Sequence, residues 1–235
     1  MDSHEDLDKA EYLGTSHLLA TRAMVHYNDY VFRLATNRFP KQGEILELGP
    51  GLGDFTGRFR ESGTTIDVVE TERQFHPVLA KLARKVVGSL DALQGRYDAI
   101  LSVNVLEHIE DDEAILRQLN SKLKPGGLIS LYHPAGPSLY GQLDRLVHHY
   151  RRYSKQEMIQ KVRAAGFEIE ECRYVDSLGW VVMWIYKVLG IGDGNVTPWS
   201  MKLYDLTVFP ISRVLDPLVG RSFGRSIFVL GRKLV

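Results

Sequence analysis

The chain has 235 residues, 44% hydrophobic and 25% charged, enough for one large domain with a sizeable core. Its 29 Lys plus Arg balance 29 Asp plus Glu, which argues against a protein whose main task is gripping nucleic-acid backbone; its single cysteine, Cys172, excludes a disulfide framework and a Cys-rich zinc module. The acidic start MDSHEDLDKAEYL reads as neither a secretory signal nor a transit peptide, and the most apolar window, Leu178 to Ile191, is about half a bilayer span, so a cytoplasmic protein without a transmembrane anchor or nucleic-acid partner is expected.

No repeat or low-complexity tract appears, and the chain reads as alternation. From about Ser16 to Phe39, apolar residues at spacings of three and four predict one or two amphipathic helices, broken by Pro40 and Gly43. Glu44 to Leu48 predicts a strand ending in a glycine cluster, and Phe55 to Arg60 a helix. A second strand is expected over Thr65 to Glu70, a helix over Val78 to Arg84, and a third strand over Lys85 to Val87. Tyr97 to Val103 is nearly continuously apolar, as a strand buried on both faces should be. A helix over Asp111 to Leu123 ends at Lys124-Pro125-Gly126-Gly127, and Leu128 to Tyr132 makes a fifth strand. This order predicts a doubly wound α/β domain with a mostly parallel sheet.

The last third differs in character. Ser154 and Glu157 form a capping box before a helix closed by Gly166, Phe167 to Val175 predicts a sixth strand, and Ser226 to Arg232 a seventh. Between them, Asp176 to Arg225 is too long for a plain connection and is expected to be a helical cap or substrate-side insertion. The domain reading is therefore 1–40 as tail and helices over a cleft, 41–175 as ligand-binding core, 176–225 as insertion, and 226–235 as the last core strand, antiparallel to the rest.

Glu47-Leu48-Gly49-Pro50-Gly51-Leu52-Gly53 lies between a strand and a helix, where an α/β sheet presents backbone N–H groups to a nucleotide-like ligand. A dinucleotide motif would place its third glycine at position 54, where Asp54 stands, which weakens the pyrophosphate reading. Glu70, closing the second strand, is placed to accept hydrogen bonds from both hydroxyls of a ribose. An adenosine-containing ligand fits both features. A nicotinamide-dependent oxidoreductase and a non-catalytic binding protein on the same fold are the competing readings.

The runs ILELGPGLGDFT, IDVVE, YDAILSVNVLEHIEDDEAIL and LKPGGLISL, in this order over residues 44 to 131, resemble the class I S-adenosylmethionine-dependent methyltransferases. The segment HHYRRYSKQEMIQKVRAAGFEI is similar to one in a bacterial branch of that superfamily with mixed substrates. The resemblance implies a Rossmann-like seven-stranded fold and S-adenosyl-L-methionine as cofactor, with S-adenosyl-L-homocysteine as product. It further implies that Gly49, Gly51 and Gly53 line the methionine and ribose end, with Glu47 anchoring the loop or the amino group. By the same resemblance Glu70 holds the ribose, Ser89 and Leu90 flank the adenine, Asn104 and the Glu107-His108 turn line the methionine side, and Tyr27 and Asn28 are candidate lids over it, with a core position the alternative for Tyr27, an aromatic at helical spacing.

Methyl transfer from a sulfonium needs mainly positioning, and a base only where the acceptor starts protonated. Residues that could serve the acceptor follow the fifth strand: Tyr132, His133, Asp144, His148, His149, Tyr150, Arg151, Arg152 and Tyr153. Of these, His133, Asp144, His149 and Tyr153 are the catalytic candidates. Arg151 and Arg152 are candidates to grip an anionic acceptor, because residues 145–163 hold six basic residues against one acid. His133, His149 and Asp144 match no metal-ligand spacing, so no metal is expected. Trp180 and Trp184, in an apolar stretch of the insertion, are expected to line an apolar acceptor pocket. The acceptor is read as a small or lipid-like molecule, methylated at oxygen first and nitrogen second, by a monomer or homodimer with peripheral membrane contact left open.

Overall fold

The computed structural model describes residues 18–189 and 197–234; the acidic tail lies outside them. A turn of helix at residues 18–21 precedes α1 (Val25–Thr36), and the chain then alternates as expected: β1 (Ile45–Leu48), α2 (Asp54–Glu61), β2 (Ile66–Val69), α3 (His76–Leu79), β3 (Lys85–Val87) and β4 (Tyr97–Val103). It continues through α4 (Asp112–Lys122), β5 (Leu123–Pro134), α5 (Gln142–Leu146), α6 (Lys155–Ala164), β6 (Phe167–Val175), α7 (Ser177–Leu189), α8 (Pro198–Val219) and β7 (Ser226–Lys233). The seven strands form one sheet in the order β3-β2-β1-β4-β5-β7-β6. β7 runs antiparallel to both neighbours, and the other pairings are parallel.

The apolar runs build the sheet because a strand covered on both faces has no polar side to present. All four residues of β1 and of β2 are buried. One core lies between the sheet and α4 and α6, with Leu116, Leu119, Met158 and Val162 facing Ile100, Ile129 and Val229. The other lies beneath α1, α2 and α8, where Val31, Phe59 and Phe209 meet Val68, Leu101, Tyr132 and Phe228.

Two elements depart from expectation. β5 begins at Leu123, not Leu128, because Lys124-Pro125-Gly126-Gly127 is carried into the strand through an irregularity in the register with β4. The helix expected over Val78 to Arg84 is instead one short turn at His76–Leu79, with Pro77 in its first turn. Ser154 caps α6 as predicted, accepting the N–H of Glu157. The insertion forms α7 and α8, and no helix among the described residues is long and apolar enough to cross a membrane. The carboxyl ends of β1, β2, β4 and β5 deliver Gly49, Glu70, Asn104 and Ala135 to one edge of the sheet, where α/β folds bind their ligands.

Candidate active site

The turn after β1 is built by backbone conformation. Gly49, Gly51 and Gly53 all have positive φ, at 65°, 54° and 80°. A Cβ on Gly49 would stand 2.5 Å from Val105 Cγ2, and one on Gly53 2.8 Å from Leu82 Cδ1, so these two positions allow the loop to pack. At Gly51 the nearest atom is Leu18 Cδ1 at 3.6 Å, which leaves the main chain open to close approach.

Glu70 ties this loop to the second strand. Its Oε2 accepts the Gly51 N–H and its Oε1 the Glu72 N–H, both at 2.9 Å. Each oxygen keeps a further lone pair, so the carboxylate can still accept from two hydroxyls. Behind the loop, buried Glu47 accepts the Thr56 hydroxyl at 2.5 Å. Burial pushes its pKa up to about 7 against the opposing Thr56 hydrogen bond, with the Asp54 and Glu70 charges adding to the rise. An open backbone, a ribose-ready carboxylate and a buried acid beneath the loop suit a nucleoside carrying a cationic tail.

Position 54 has a use the sequence did not disclose. Asp54 opens α2, where its charge complements the helix dipole, and Arg22 holds both its oxygens, Nε to Oδ2 at 2.9 Å and Nη2 to Oδ1 at 2.5 Å. Arg22 also reaches the Leu52 carbonyl at 3.4 Å. Residues 18–22 are thereby held over the glycine loop. The only signal in the sequence was the acid standing where a dinucleotide motif has glycine.

The remaining cofactor candidates fall into three groups. Asn104 (φ 53°) and His108 are exposed beyond β4, at the edge that carries the glycine loop. Ser89 is exposed after β3, whereas Leu90 is buried in the core. Tyr27 is a correction: its ring lies in the core and its hydroxyl meets that of Tyr132 at 2.9 Å, so it forms part of the scaffold and not a lid.

On the acceptor side the loop after β5 folds back against the turn after β4. His149 Nδ1 is 2.9 Å from Asp144 Oδ1, and its Nε2 is 3.9 Å from Glu107 Oε1. The His108 and His149 rings meet edge to face, with centroids 4.6 Å apart. Buried Asp144 also accepts the Gly141 N–H at 2.9 Å and Arg152 Nε at 2.8 Å. Burial pushes its carboxyl up, but the His149 hydrogen bond and the Arg152 charge outweigh it and hold the pKa below the ordinary aspartate value. Glu107 is held low in the same way by His133, whose Nδ1 lies 3.0 Å from Glu107 Oε2.

Glu107, which the resemblance places with His108 on the methionine side, therefore joins His108 and His149. The three offer ligand atoms within 4.8 Å of one another, a grouping able to hold a cation. His133 is fully buried, and its Nε2 has no hydrogen-bond partner. It faces the Val105 N–H at 3.4 Å, inside the wall of the cleft, so it supports Glu107 and cannot reach an acceptor directly.

Three further expectations are corrected by pairing. Tyr153 is fully buried with its hydroxyl on Asp112 at 2.9 Å, and burial raises its pKa far above the ordinary tyrosine value. Arg152 is buried against Asp144, and Arg151 is spent on Asp112 at 3.0 Å and the Glu110 carbonyl at 2.7 Å. Arg151 is thus engaged by an acid from α4 and Arg152 by one from its own loop, and neither presents an anion grip. His148 (φ 58°) and Tyr150 are exposed, and Tyr150 donates its N–H to the Glu107 carbonyl at 2.7 Å with its ring beneath the Arg151 guanidinium. Trp180 packs inward against Gly136 and Phe223, while Trp184 points outward and is half exposed.

Comparison with known proteins agrees with this geometry. Residues 21–172 match the methyltransferase domain family. The chain is 28% identical over 160 residues to a ubiquinone biosynthesis O-methyltransferase of Xanthomonas axonopodis pv. citri (strain 306); the match covers 56% of this chain and 65% of the relative, so the chain spans just under two thirds of that protein. The fold superposes on 1,6-didemethyltoxoflavin-N1-methyltransferase of Burkholderia thailandensis, solved with S-adenosylhomocysteine, at a TM-score of 0.60 and 17% identity over 100% of this chain and 92% of the other. It also superposes on the cyclase SpnF at a TM-score of 0.60 and 18% identity, over 88% and 81% of the two chains. Family match, sheet order and glycine loop agree, and the chain belongs to the methyltransferase domain family.

Proposed function

We propose that this chain transfers the methyl group of S-adenosyl-L-methionine to a hydroxyl oxygen of a small or medium-sized acceptor. The observation that carries the reading is the Asp144–His149 pair, at 2.9 Å, set on the cleft edge that bears the open Gly51 backbone and the Glu70 carboxylate. Gly49, Gly51, Gly53 and Glu70 hold the nucleoside, Glu47 supports the loop beneath it, and Asn104 and His108 line the methionine side. Bound there, the cofactor supplies a methyl group already activated by its sulfonium.

Asp144 fixes His149 with Nδ1 as the hydrogen-bonded nitrogen and leaves Nε2 free to accept the acceptor's proton. With the cofactor bound, it would supply the methyl carbon and leave as the neutral thioether, and His149 would take the hydroxyl proton at Nε2. Glu107 Oε1 lies 3.9 Å from Nε2, beside the positive charge that results. The step needs no metal. Oxygen is favoured over nitrogen because the relative from Xanthomonas is named an O-methyltransferase.

An oxidoreductase using a nicotinamide dinucleotide is disfavoured by Asp54, which places a carboxylate and its Arg22 partner where a pyrophosphate would approach. The likeness to a cyclase makes transfer itself the decisive assay. Incubation with methyl-labelled cofactor and a panel of phenols and catechols is expected to give labelled ether. Binding of the cofactor without transfer to any oxygen or nitrogen acceptor would refute the assignment.

A further inference from the structure

The amphipathicity of α8 is reversed. The stripe turned inward, Asp205, Phe209, Ser212 and Asp216, is buried and mostly polar. The stripe turned outward at the same helical spacing, Trp199, Leu203, Leu206, Pro210, Val214 and Pro217, is apolar and exposed, with Val214 at 74% and Trp199 at 71%. The inward polar groups have fixed tasks. Asp205 accepts the N–H groups of His26 and Tyr27 at 2.9 and 2.7 Å and so caps α1. Asp216 accepts those of Asp176 and Ser177 at 2.8 and 2.9 Å, and Ser212 accepts that of Leu178 at 3.1 Å, which caps α7. Neither acid can turn outward without uncapping a helix.

α7 adds to the same apolar display. Trp184, Ile185, Val188 and Leu189 are 44 to 62% exposed. Taking about 1.5 Å per residue, the two helices are roughly 20 and 33 Å long, and apolar stripes about 10 Å wide give an exposed patch on the order of 500 Å². Among the described residues of α7 and α8, the exposed charges are all basic: Lys187, Lys202 and Arg213, with Arg221 following.

We infer that the outward face of α7 and α8 docks this protein on the surface of an anionic lipid bilayer. α7 is too short to span a membrane, and α8 carries four charged residues, so the helices lie along the interface with Trp184 and Trp199 at headgroup depth. Lys202, Arg213 and Arg221 meet anionic headgroups at its rim. A second copy of the chain is a poorer occupant, because an isologous contact would bring these cations together with no exposed acid among the described residues of α7 and α8 to pair them.

Docking would also set the acceptor loop at the interface. Trp180 packs on Gly136, Met183 Sδ is 4.0 Å from Arg152 Nη1, and Lys187 reaches the Tyr140 carbonyl at 2.9 Å, all on the segment that carries Asp144 and His149. The surface lies beyond residue 172, where the family match ends.

Vesicle flotation tests this with neither cofactor nor acceptor, so its outcome is separate from that of the methyl-transfer assay. Purified full-length protein is expected to float with vesicles of phosphatidylcholine and phosphatidylglycerol, with a blue shift of tryptophan emission, and far less with phosphatidylcholine alone. Leu206→Asp with Val214→Asp, both on the exposed face, should abolish flotation with circular dichroism unchanged. Lys202→Gln with Arg213→Gln should weaken it about 25-fold, at about fivefold per basic residue. Failure to float, or flotation equal for wild type and the Leu206→Asp/Val214→Asp variant, would overturn the proposal. So would a dimer that does not float and that the same two substitutions dissociate.

Discussion

Arg22 grips both carboxylate oxygens of Asp54, and by doing so a residue of the N-terminal segment closes over the glycine loop. Both side chains are about half exposed, so the pair contributes little to global stability, at most about 1 kcal/mol. Its weight falls on the ligand. Arg22→Ala is expected to leave the melting temperature within a few degrees of wild type while weakening S-adenosylhomocysteine binding severalfold, mainly through faster dissociation. Stopped-flow release kinetics check this; an unchanged off-rate would remove the latch role.

Glu47 gives a pH signature. Its pKa rises from about 4.5 in the unfolded chain to about 7 in the folded one because its charge is buried. The folded state therefore binds the extra proton between these values, and the stability this contributes is complete below about pH 4.5 and lost as pH rises through 7. The full difference is on the order of 3 kcal/mol. Glu47→Gln should flatten this component, so wild type should lose stability relative to the variant between pH 5 and 8 in urea titrations. Parallel curves would mean that Glu47 is ionised throughout.

The sheet was legible because runs such as Tyr97 to Val103 can be satisfied only by burial on both faces, and the glycine loop because its spacing is local. Partners far apart in the chain were not legible. Arg151 and Tyr153 read as free acceptor groups because Asp112, which engages both, comes from α4. Likewise, α8 carries two acids that sequence places on no particular face, and only the need to cap α1 and α7 turns them inward. Tyr27 reads from sequence as either core or lid, and only Tyr132, far along the chain, decides for the core.

His149 and Asp144 predict a kinetic division. Removing the proton acceptor by His149→Ala should lower kcat by about 10² to 10⁴ with little change in cofactor affinity. Asp144→Asn should also lower kcat, by a smaller factor, because the imidazole loses its orienting charge, and should cost stability by leaving Arg152 buried without its acid. Full activity of His149→Ala on an oxygen acceptor would assign the proton to another group.

Glu107, His108 and His149 could hold a cation, yet the proposed transfer needs none. Dialysis against a chelator is therefore expected to leave turnover unchanged, and added zinc to inhibit by occupying His149. Turnover lost on chelation and restored by one divalent metal would replace the free-base role with a metal-bound one.

Isothermal titration with S-adenosylhomocysteine, comparing wild type with Glu70→Ala and using NAD as the control ligand, tests the central claim most directly. Saturable binding by wild type is expected, weakened at least tenfold by loss of the carboxylate that faces the Gly51 loop, with no binding of NAD. Binding of NAD in place of S-adenosylhomocysteine, or equal affinity in Glu70→Ala, would contradict it.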